Sequence, residues 1–546
     1  MEESLRLMEA GDLLEAAAVA EGLRLDPQQG ADALHVLGVL AAHEGDGPRA
    51  LDLMGQAVAA DPENLERKFN FGTLALDLGS VDIAVDTLTE VVSALPEDPA
   101  VQSVYGNALT KVGRYEEAVN AQERALDLAP NHPLLWSNLA NAYLAWGRIE
   151  AADAGHAHAV KLAPEEPELL FNYGGTRFRL GEIGDARTAF ERCLALDAKH
   201  GRARTSLGVI HRLSGRLDEG REEQEQAFVD DPEDLDVRWN LGLTHLFHGD
   251  WSSGWKHYEA RRERLPQLGR EGFGLPWDGQ PTEATVVIER EQGLGDTLMF
   301  ARFLAEAKTR VGRLIFRAQE RLVPFLRESL QIDGIEIEPF QLEPWPGTYA
   351  PLMSLPHLLG GSVSRQPIDI PYLKVTEARI EDGARRLGPR TRPRIGLVWQ
   401  GNPGHVRDRS RSIPVEHLRP LLEQPDFEFW SLQSVHGLDQ LEALPDELRP
   451  RTLEGPVDVD GAFLDTAAVM MNLDLVVSID SAPVHLAGAL GVPAALLLAA
   501  FPDWRWGQGA NTWYPTVETF SAPSAGDWRG AVALLLADLE ARFGPA

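Results

Sequence analysis

The chain has 546 residues, of which 44% are apolar and 25% charged, a composition typical of a soluble globular protein with two or more domains. Its formal net charge is −32, and residues 1–250 alone carry 44 acidic and 21 basic side chains. Proteins that bind nucleic acid normally present a basic surface, so we exclude nucleic acid as a partner. The acidic first part is either a solvated face or a surface that steers a basic partner.

The single cysteine, Cys193, excludes an internal disulfide and is most simply a small core residue. The acidic, amphipathic start of the chain lacks the basic and apolar regions of a signal peptide. The longest apolar stretch, His485 to Phe501, is interrupted by Gly488, Gly491 and Pro493, which favours a helix, a turn and a buried strand over a membrane span. We therefore expect a cytoplasmic protein without a membrane-spanning segment.

A step of 34 residues organises the first half of the chain. It is kept by Gly45, Gly79, Gly113, Gly147, Gly181, Gly215 and Gly249, by small residues from Gly38 to Gly242 and from Ala50 to Gly254, and by prolines from Pro62 to Pro232. Such glycines end helices, and small residues let two helices approach closely. The pattern resembles the tetratricopeptide repeat (TPR), which implies about seven helical pairs stacked into a superhelix with a concave surface.

Asn70, Asn138, Asn172 and Asn240 share one register of this repeat. Their placement resembles the asparagine ladder of O-GlcNAc transferases, which join TPRs to a glycosyltransferase module. The resemblance implies that these amides face the concave groove and bind the backbone of an acceptor peptide. The alternative is that each asparagine only bonds to a neighbouring helix.

Residues 269–283 are rich in proline and glycine and predict a linker between a TPR region, 1–268, and a second region. Beyond them, apolar strand-like runs alternate with helix-like segments, which predicts parallel sheets covered by helices. The expected fold is an all-α TPR superhelix followed by an α/β domain of two Rossmann-like halves. We place these halves at 284–388 and 389–546, the second closed by a terminal helix.

Two segments of the second region, Ala284 to Ala307 and Leu473 to Pro493, both predict a strand, a tight loop and a helix. Such a unit leaves backbone N–H groups unpaired at the helix N-terminus, where a phosphate can bind. Two of these units facing each other would form a cleft for an activated phosphate ester and a second substrate.

Several motifs of this region resemble GT-B glycosyltransferases of the heptosyltransferase-like group. They are GLGD (Gly293 to Asp296), LVWQGNP with RDRSRSIP (Leu397 to Pro414), SLQ (Ser431 to Gln433), FLDTAA (Phe463 to Ala468) and DSAPVHLAGALG (Asp480 to Gly491). The whole chain resembles bacterial fusions of TPRs to such a domain, some of which modify flagellins or other surface proteins. The resemblance implies an inverting, nucleotide-sugar-dependent transfer to Ser or Thr of an acceptor protein.

Two departures from the heptosyltransferase pattern bear on the acceptor. The chain has DSA (Asp480 to Ala482) where that group has DTG or DTS, but it keeps a hydroxyl at Ser481. Its first Rossmann-like half is also shorter, which points away from a lipopolysaccharide acceptor and, with the TPRs, toward a protein.

By resemblance, Asp296 is the base that deprotonates the acceptor hydroxyl, although an aspartate at this place also caps its helix. The resemblance assigns the donor to Gly293, Gly295, Gly401, Arg411, Gln433, Asp480, Ser481, Ala482 and His485. Arg411, preceded by Arg407 and Arg409, would bind phosphate, and Gln433 would read the ribose or base.

Trp504 and Arg505 are expected either to form an acceptor wall or to belong to the core. The Asp458-Val459-Asp460 segment follows no strand and predicts a loop, so we expect no metal and no cofactor besides the nucleotide sugar. Two alternatives stay open, a TPR scaffold with an inactive GT-B fold and a transferase acting on a glycan or lipid. Repeat arrays of this kind often self-associate, which leaves the oligomeric state open.

Overall fold

The computed structural model describes residues 1–264, 274–341, 343, 345–360, 370–404, 408–507, 513–524 and 526–544, apart from the side chains of Glu9 and Arg409. The chain divides into two compact units, Met1–Ile210 and His211–Ala546. The first is all-helical, and the second carries parallel sheets. The predicted fold class, a helical repeat region followed by an α/β region, is thereby confirmed.

Consecutive helices of the first unit pack against each other in pairs. The helices are α1 (Glu2–Glu9), α2 (Leu13–Leu23), α3 (Gly30–His43), α4 (Gly47–Ala60), α5 (Leu65–Asp77), α6 (Val81–Ala94), α7 (Pro99–Lys111), α8 (Tyr115–Leu128), α9 (Pro133–Ala145), α10 (Ile149–Leu162), α11 (Pro167–Arg179), α12 (Ile183–Leu196) and α13 (Gly201–Leu213), which crosses into the second unit. Each described repeat is thus one helical pair, as its 34-residue step predicts.

The repeat glycines end the first helix of each pair. Their φ angles lie between 75° and 84°, in the left-handed region that only glycine adopts without cost, from Gly11 to Gly249. The small-residue register brings the paired helices together. At Gly72 an added Cβ would lie 2.8 Å from Leu88 Cγ, and at Gly174 it would lie 2.7 Å from Phe190 Cε1.

The second unit begins with the remaining helices of the repeat region. These are α14 (Leu217–Asp230), α15 (Leu235–Phe247), α16 (Trp251–Tyr258) and α17 (Arg261–Arg264). The predicted repeat region, 1–268, thus extends past the boundary between the two compact units. Part of the predicted linker, residues 269–273, lies outside the described residues.

A four-stranded parallel sheet forms the first half of the α/β region, in the order β3-β2-β1-β4. Its strands are β1 (Thr282–Glu289), β2 (Val311–Ala318), β3 (Ile335–Pro339) and β4 (Thr348–Pro351), accompanied by the helices α18 (Leu294–Phe300), α19 (Leu304–Thr309), α20 (Val323–Ser329) and α21 (Leu355–Leu358). The strand order reverses at β1, so a ligand crevice is expected at the carboxyl end of this strand.

A five-stranded parallel sheet forms the second half, in the order β6-β5-β7-β8-β9. Its elements are α22 (Glu377–Leu387), β5 (Arg394–Val398), α23 (Asp408–Arg411), α24 (Arg419–Leu422), β6 (Glu428–Ser431), α25 (Leu464–Met470), β7 (Leu475–Ile479), α26 (Ala482–Leu490), β8 (Ala494–Leu498), β9 (Val517–Ser521) and α27 (Trp528–Phe543). The order reverses between β5 and β7, which places the corresponding crevice at the loops that follow them.

A large apolar core joins the last repeat helices to both sheets. Trp255 of α16 packs edge-on against Phe300 of α18, with ring centroids 5.8 Å apart. The terminal helix α27 belongs instead to a second core that covers the other sheet face of the second half, so the expectation that it packs across both halves is wrong. Among the residues that the structure describes, no helix has both the length and the apolarity to span a bilayer.

Arg261 fastens the repeat helices of this unit to the loop after β1. It is 1% exposed, and its guanidinium bonds to both carboxylate oxygens of Glu291, at 3.0 and 2.9 Å. It also bonds to Glu259 at 2.7 Å and to the Ser354 hydroxyl at 2.8 Å. Removal of one partner from a buried ion pair lowers the free energy of unfolding by about 3–5 kcal/mol, because the other charge is left unpaired. We therefore expect this contact to hold the loop in place.

Adjacent glycines of α11 provide a test of the repeat packing. We expect Gly174→Ala to lower the free energy of unfolding by about 1–3 kcal/mol, because its Cβ would overlap the buried Phe190 ring. Gly175→Ala meets nothing within 4 Å and should raise stability by about 0.5–1 kcal/mol through helix propensity. Urea denaturation followed by circular dichroism measures both. Equal effects of the two variants would contradict close packing at this register.

Candidate active site

A cavity of about 710 Å³ opens at the carboxyl ends of both sheets. It is lined by all the residues that the sequence assigns to the donor, by Asp296 and by Arg505, namely Gly293, Gly295, Asp296, Gly401, Arg411, Gln433, Asp480, Ser481, Ala482, His485 and Arg505. The two strand–loop–helix units therefore share one opening, as predicted. The roles of these residues stay predictions.

The two strand–loop–helix segments of the α/β region touch at Gly295. A Cβ on this residue would lie 3.0 Å from Cδ2 of His485 and 3.3 Å from the Cα of Ala482. Because a side chain would push the two helices apart, a glycine in the GLGD loop lets α18 and the first turn of α26 meet. This contact aligns the first sheet's loop with the second sheet's phosphate-type loop.

Asp296 caps its own helix and also forms an ion pair. Its Oδ2 accepts a hydrogen bond from the N–H of Gly293 at 3.1 Å, and its Oδ1 accepts one from the guanidinium of Arg505. The side chain is 18% exposed. The capping role is therefore confirmed, and the role as base stays a prediction that the position in the cavity allows.

Arg505 binds the carboxylates of the site. Its Nη1 donates to Asp503 Oδ1 at 2.6 Å, and its guanidinium lies 4.5 Å from the centroid of the Trp504 ring. Burial lowers the pKa of Arg505, but the carboxylates of Asp296 and Asp503 outweigh it and raise this pKa, so the side chain is charged. The bonds of the guanidinium go to these two aspartates, and the predicted contact with the acceptor stays a prediction.

Arg411 and Gly401 form the wall contributed by the loops after β5. The Nη1 of Arg411 donates to the carbonyl of Asp480 at 3.1 Å, and its Nε lies 3.5 Å from Asp408 Oδ1. A Cβ on Gly401 would lie 2.4 Å from that same Asp408 oxygen and 2.9 Å from Arg411 Nη2. Glycine at 401 thus permits the approach of the arginine. Arg407 and the side chain of Arg409 lie outside the described residues.

The loop after β7 brings Asp480 and Ser481 to the N-terminus of α26. Trp506 Nε1 donates to Asp480 Oδ1 at 2.8 Å, and burial together with the charge of Asp503 raises the pKa of Asp480. Ser481 is the N-cap residue, in an extended conformation, and its hydroxyl lies 3.3 Å from the carbonyl of Ile479. The helix dipole and first-turn N–H groups suit an anion here.

His485 is in the first turn of α26, and its imidazole is buried and neutral. Its Nδ1 is 3.1 Å from the hydroxyl oxygen of Tyr514, and its ring stacks on Trp506 with centroids 5.4 Å apart. Burial, with the nearby cations Arg505 and Arg302, lowers the pKa of His485 to about 3. At neutral pH it can donate a hydrogen bond to a phosphate but brings no positive charge.

Gln433 is committed to the backbone of its neighbouring loop. Its Oε1 accepts from the N–H groups of Trp399 and Gln400 at 3.2 and 3.1 Å, and its Nε2 donates to the carbonyl of Gln400 at 2.9 Å. Three of its four hydrogen-bonding positions therefore fix the end of β5, and its role in reading a ribose or base stays a prediction.

Trp504 belongs to an aromatic core and does not line the cavity. It is 6% exposed and packs edge-on against Trp255 at 5.4 Å and against Trp513 at 6.3 Å. The expected acceptor wall is therefore wrong for this residue. The apolar environment explains the difference, because an indole packed against Trp255, Tyr258 and Trp513 is stabilised by burial.

Sequence reasoning missed Arg321 and Phe463, which also line the cavity. Arg321 is exposed, comes from the first half, and donates to the carbonyl of Asp458 at 3.1 Å. Phe463 has a left-handed backbone with φ 69°, and such strain outside glycine concentrates at functional sites. No motif marks Arg321, whereas Phe463 stands in the FLDTAA segment.

The Asp458-Val459-Asp460 segment is a loop, as predicted, and Asp458 has a structural task. Its Oδ1 accepts from the backbone N–H of Asp465 at 2.7 Å and of Thr466 at 3.1 Å, and its Oδ2 accepts from the Thr466 hydroxyl. Asp458 therefore caps α25.

The asparagine register makes bonds between neighbouring repeats. The amide nitrogens lie 3.5 Å from His35 Nε2 for Asn70, 2.9 Å from Ser103 Oγ for Asn138 and 3.3 Å from Ser137 Oγ for Asn172, each partner being 35 residues earlier. Asn240 bonds instead to the carbonyl of Asp236 in its own helix. The neighbour-bonding alternative is thus confirmed for three of them, and the groove role stays a prediction.

Comparisons with known families identify the repeats of the first half. Models described as "Tetratricopeptide repeat" match residues 1–64, 41–108 and 176–234, and one described as "TPR repeat" matches residues 106–147. The N-terminal helices are therefore tetratricopeptide repeats, which suggests a surface for protein–protein interaction.

Protein FlbA of Caulobacter vibrioides is 28% identical over 320 residues, which are 53% of this chain and 52% of FlbA. The chain thus spans about half the length of this curated relative.

Solved structures resemble part of this chain at low overall similarity. A tetratricopeptide repeat protein from Parabacteroides merdae has a TM-score of 0.41 at 17% identity, covering 44% of this chain and 96% of its own. Yeast Tom70 has a TM-score of 0.39 at 14% identity, covering 46% and 55%. MamA AMB-1 has a TM-score of 0.28 at 26% identity, covering 30% and 98%.

The lowered pKa of His485 predicts a pH-dependent stability. The pKa of His485 in the folded protein, about 3, lies below the ordinary value of 6.5. The contribution of the neutral imidazole to the free energy of unfolding is therefore complete above pH 6.5 and is lost as the pH falls toward 3. At pH 5 the loss should be about 2 kcal/mol relative to pH 7. Urea denaturation of His485→Gln should show a smaller difference between these two pH values. The exposed His436 provides the control, and equal pH dependence in His485→Gln and His436→Gln would contradict the burial argument.

Proposed function

We propose that this chain is a nucleotide-sugar-dependent protein glycosyltransferase. The tetratricopeptide repeats bind the acceptor protein, and the cavity transfers the sugar to a Ser or Thr hydroxyl with inversion and without a metal. One observation carries the proposal, namely that Asp296 of the first half and the N-terminus of α26 in the second half line the same cavity. A base for the acceptor and a site for the leaving phosphate are thus within one opening.

The second half supplies the donor site. Arg411 provides a charged fork for phosphate, and the start of α26 provides N–H groups and a favourable dipole. His485, neutral because it is buried, adds a hydrogen bond to an oxygen of the leaving group. These groups are held in place before the donor binds, so they stabilise developing negative charge with little rearrangement.

The repeats supply the acceptor site. The amide nitrogens of Asn138 and Asn172 are bonded to the preceding repeat, whereas both side chains are only half-buried. The side-chain Oδ1 atoms of Asn138 and Asn172 accept no hydrogen bond from any described residue, so they can accept from the backbone N–H groups of an extended peptide. Binding at the repeats would raise the local concentration of the acceptor near the transferase region.

A nucleotide-binding scaffold without transfer is the second candidate, and one observation favours it. Both oxygens of Asp296 already accept a hydrogen bond, one from Gly293 and one from Arg505. A scaffold would bind nucleotide and partner protein but release no transferred sugar. The variants below separate the two candidates.

Asp296→Asn should lower kcat by about 100-fold or more while leaving donor affinity within about threefold, because the proton acceptor is lost while the phosphate-binding groups are unchanged. Arg411→Gln should instead weaken donor binding by about tenfold, through loss of a charge-assisted bond to phosphate. Mass spectrometry of a host-cell protein extract incubated with UDP-, GDP-, ADP- and CMP-linked sugars measures transfer, and calorimetry measures binding. Transfer by Asp296→Asn at the wild-type rate would remove the proposed base, and nucleotide binding without any transfer by the wild type would favour the scaffold.

Combined Asn138→Ala and Asn172→Ala should weaken binding of the acceptor protein by about tenfold or more, since two hydrogen bonds to its backbone are lost. Donor binding should be unchanged, because both residues are in the first compact unit. Pull-down and calorimetry with the modified protein identified above measure the effect. Replacement of Thr188, an exposed residue on α12 whose hydroxyl donates to the carbonyl of Gly184 in the same helix, is the matched control. Unaltered acceptor affinity in the double variant would exclude the groove role.

A further inference from the structure

Arg505 is the side chain through which Asp296 is held in the cavity. It bonds to Oδ1 of Asp296, while Oδ2 of the same carboxylate accepts the N–H of Gly293. Each carboxylate oxygen has a second lone pair, so both can still accept a bond from an acceptor hydroxyl. The two bonds thus fix the plane of the carboxylate without blocking it.

Arg505 is itself held from other sides. Its Nη1 bonds to Asp503 at 2.6 Å, its guanidinium stacks 4.5 Å from the Trp504 ring centroid, and its side chain is only 11% exposed. The arginine therefore has a fixed position from which it can orient Asp296. A flexible surface ion pair would lack this property.

Resting on the proposed function, we propose that Arg505 is the positioning residue of Asp296, which orients this carboxylate and balances the charge that moves during sugar transfer.

The charge movement follows from the atoms that react. The acceptor oxygen bonds to the anomeric carbon, the bond from that carbon to the phosphate oxygen breaks, and its electron pair leaves with the phosphate. The hydroxyl proton goes to Asp296, so one negative charge disappears from the aspartate and one appears on the leaving phosphate.

Arg505 is placed to follow this movement. It lines the same cavity as the start of α26, and its charge acts on both Asp480 and His485 there. When Asp296 takes up a proton, the guanidinium loses a charged partner and its field becomes available to the phosphate. A fixed cation in a site of low dielectric acts more strongly than one in water.

The test compares full-length Arg505→Gln, Arg505→Lys and Asp296→Asn with the donor that the wild type uses among UDP-, GDP-, ADP- and CMP-linked sugars. Arg505→Gln should lower kcat by about 100-fold with donor KM changed less than about threefold, and Arg505→Lys should recover about tenfold of this loss. In the Asp296→Asn background, Arg505→Gln should lower kcat by less than about threefold, because the two residues act as a unit.

Arg313→Gln is the matched control, because it also breaks an arginine–carboxylate pair, here with Glu336, but on the exposed face of the first sheet. Its kcat should equal that of the wild type. Additive effects of the Arg505 and Asp296 variants, or an unchanged kcat in Arg505→Gln, would overturn the inference. If the melting temperature of Arg505→Gln is far below that of the wild type, the kcat of Arg505→Lys is used as the test instead. A kcat equal to that of the wild type in Arg505→Lys would then overturn the inference.

Failure of the two proposals is distinguishable. A wild type that neither transfers a sugar nor binds any of the four nucleotides overturns the proposed function and this inference with it. An active wild type whose kcat is insensitive to Arg505 overturns the inference alone.

Discussion

The contact between Gly295 and the first turn of α26 sets the geometry of the α/β region. Here the loop after β1 of the first sheet and the N-terminus of α26 in the second half are so close that there is no room for a side chain at Gly295. The carboxylate of Asp296, one residue further along, is thereby brought to the same opening as the phosphate-type loop at Ser481. Parallel sheets bind ligands at such reversals of strand order, and here two reversals face one cavity.

The electrostatics of the cavity depend on fixed cations rather than on histidine. His485 is kept neutral by burial and by nearby arginines, whereas the carboxylates of Asp296 and Asp503 keep Arg505 charged. Positive charge is therefore available at a pH where an ordinary histidine would be only partly protonated. Under the proposed function, binding of an anionic leaving group would therefore not depend on a titrating imidazole.

The repeat step and the two strand–loop–helix units could be predicted from the sequence because glycine leaves a local signature. The glycines from Gly11 to Gly249 end helices, and Gly295 permits a close approach, which are both backbone requirements. The partners of long polar side chains could not be predicted. Arg505 bonds to Asp296, 209 residues away, and the task of Gln433 is set by a neighbouring strand. Such contacts depend on tertiary packing that no local pattern encodes.

The bonds from Arg261 to Glu291 connect the last repeat helices with the chain just before the GLGD loop. The compact unit that holds the cavity starts at His211, so these helices serve the α/β region as well as the repeat. If the repeat array were replaced by another one, the junction would have to lie upstream of His211. The repeat array could then change by gain or loss of earlier repeats, while the final helices remain bonded to the α/β region.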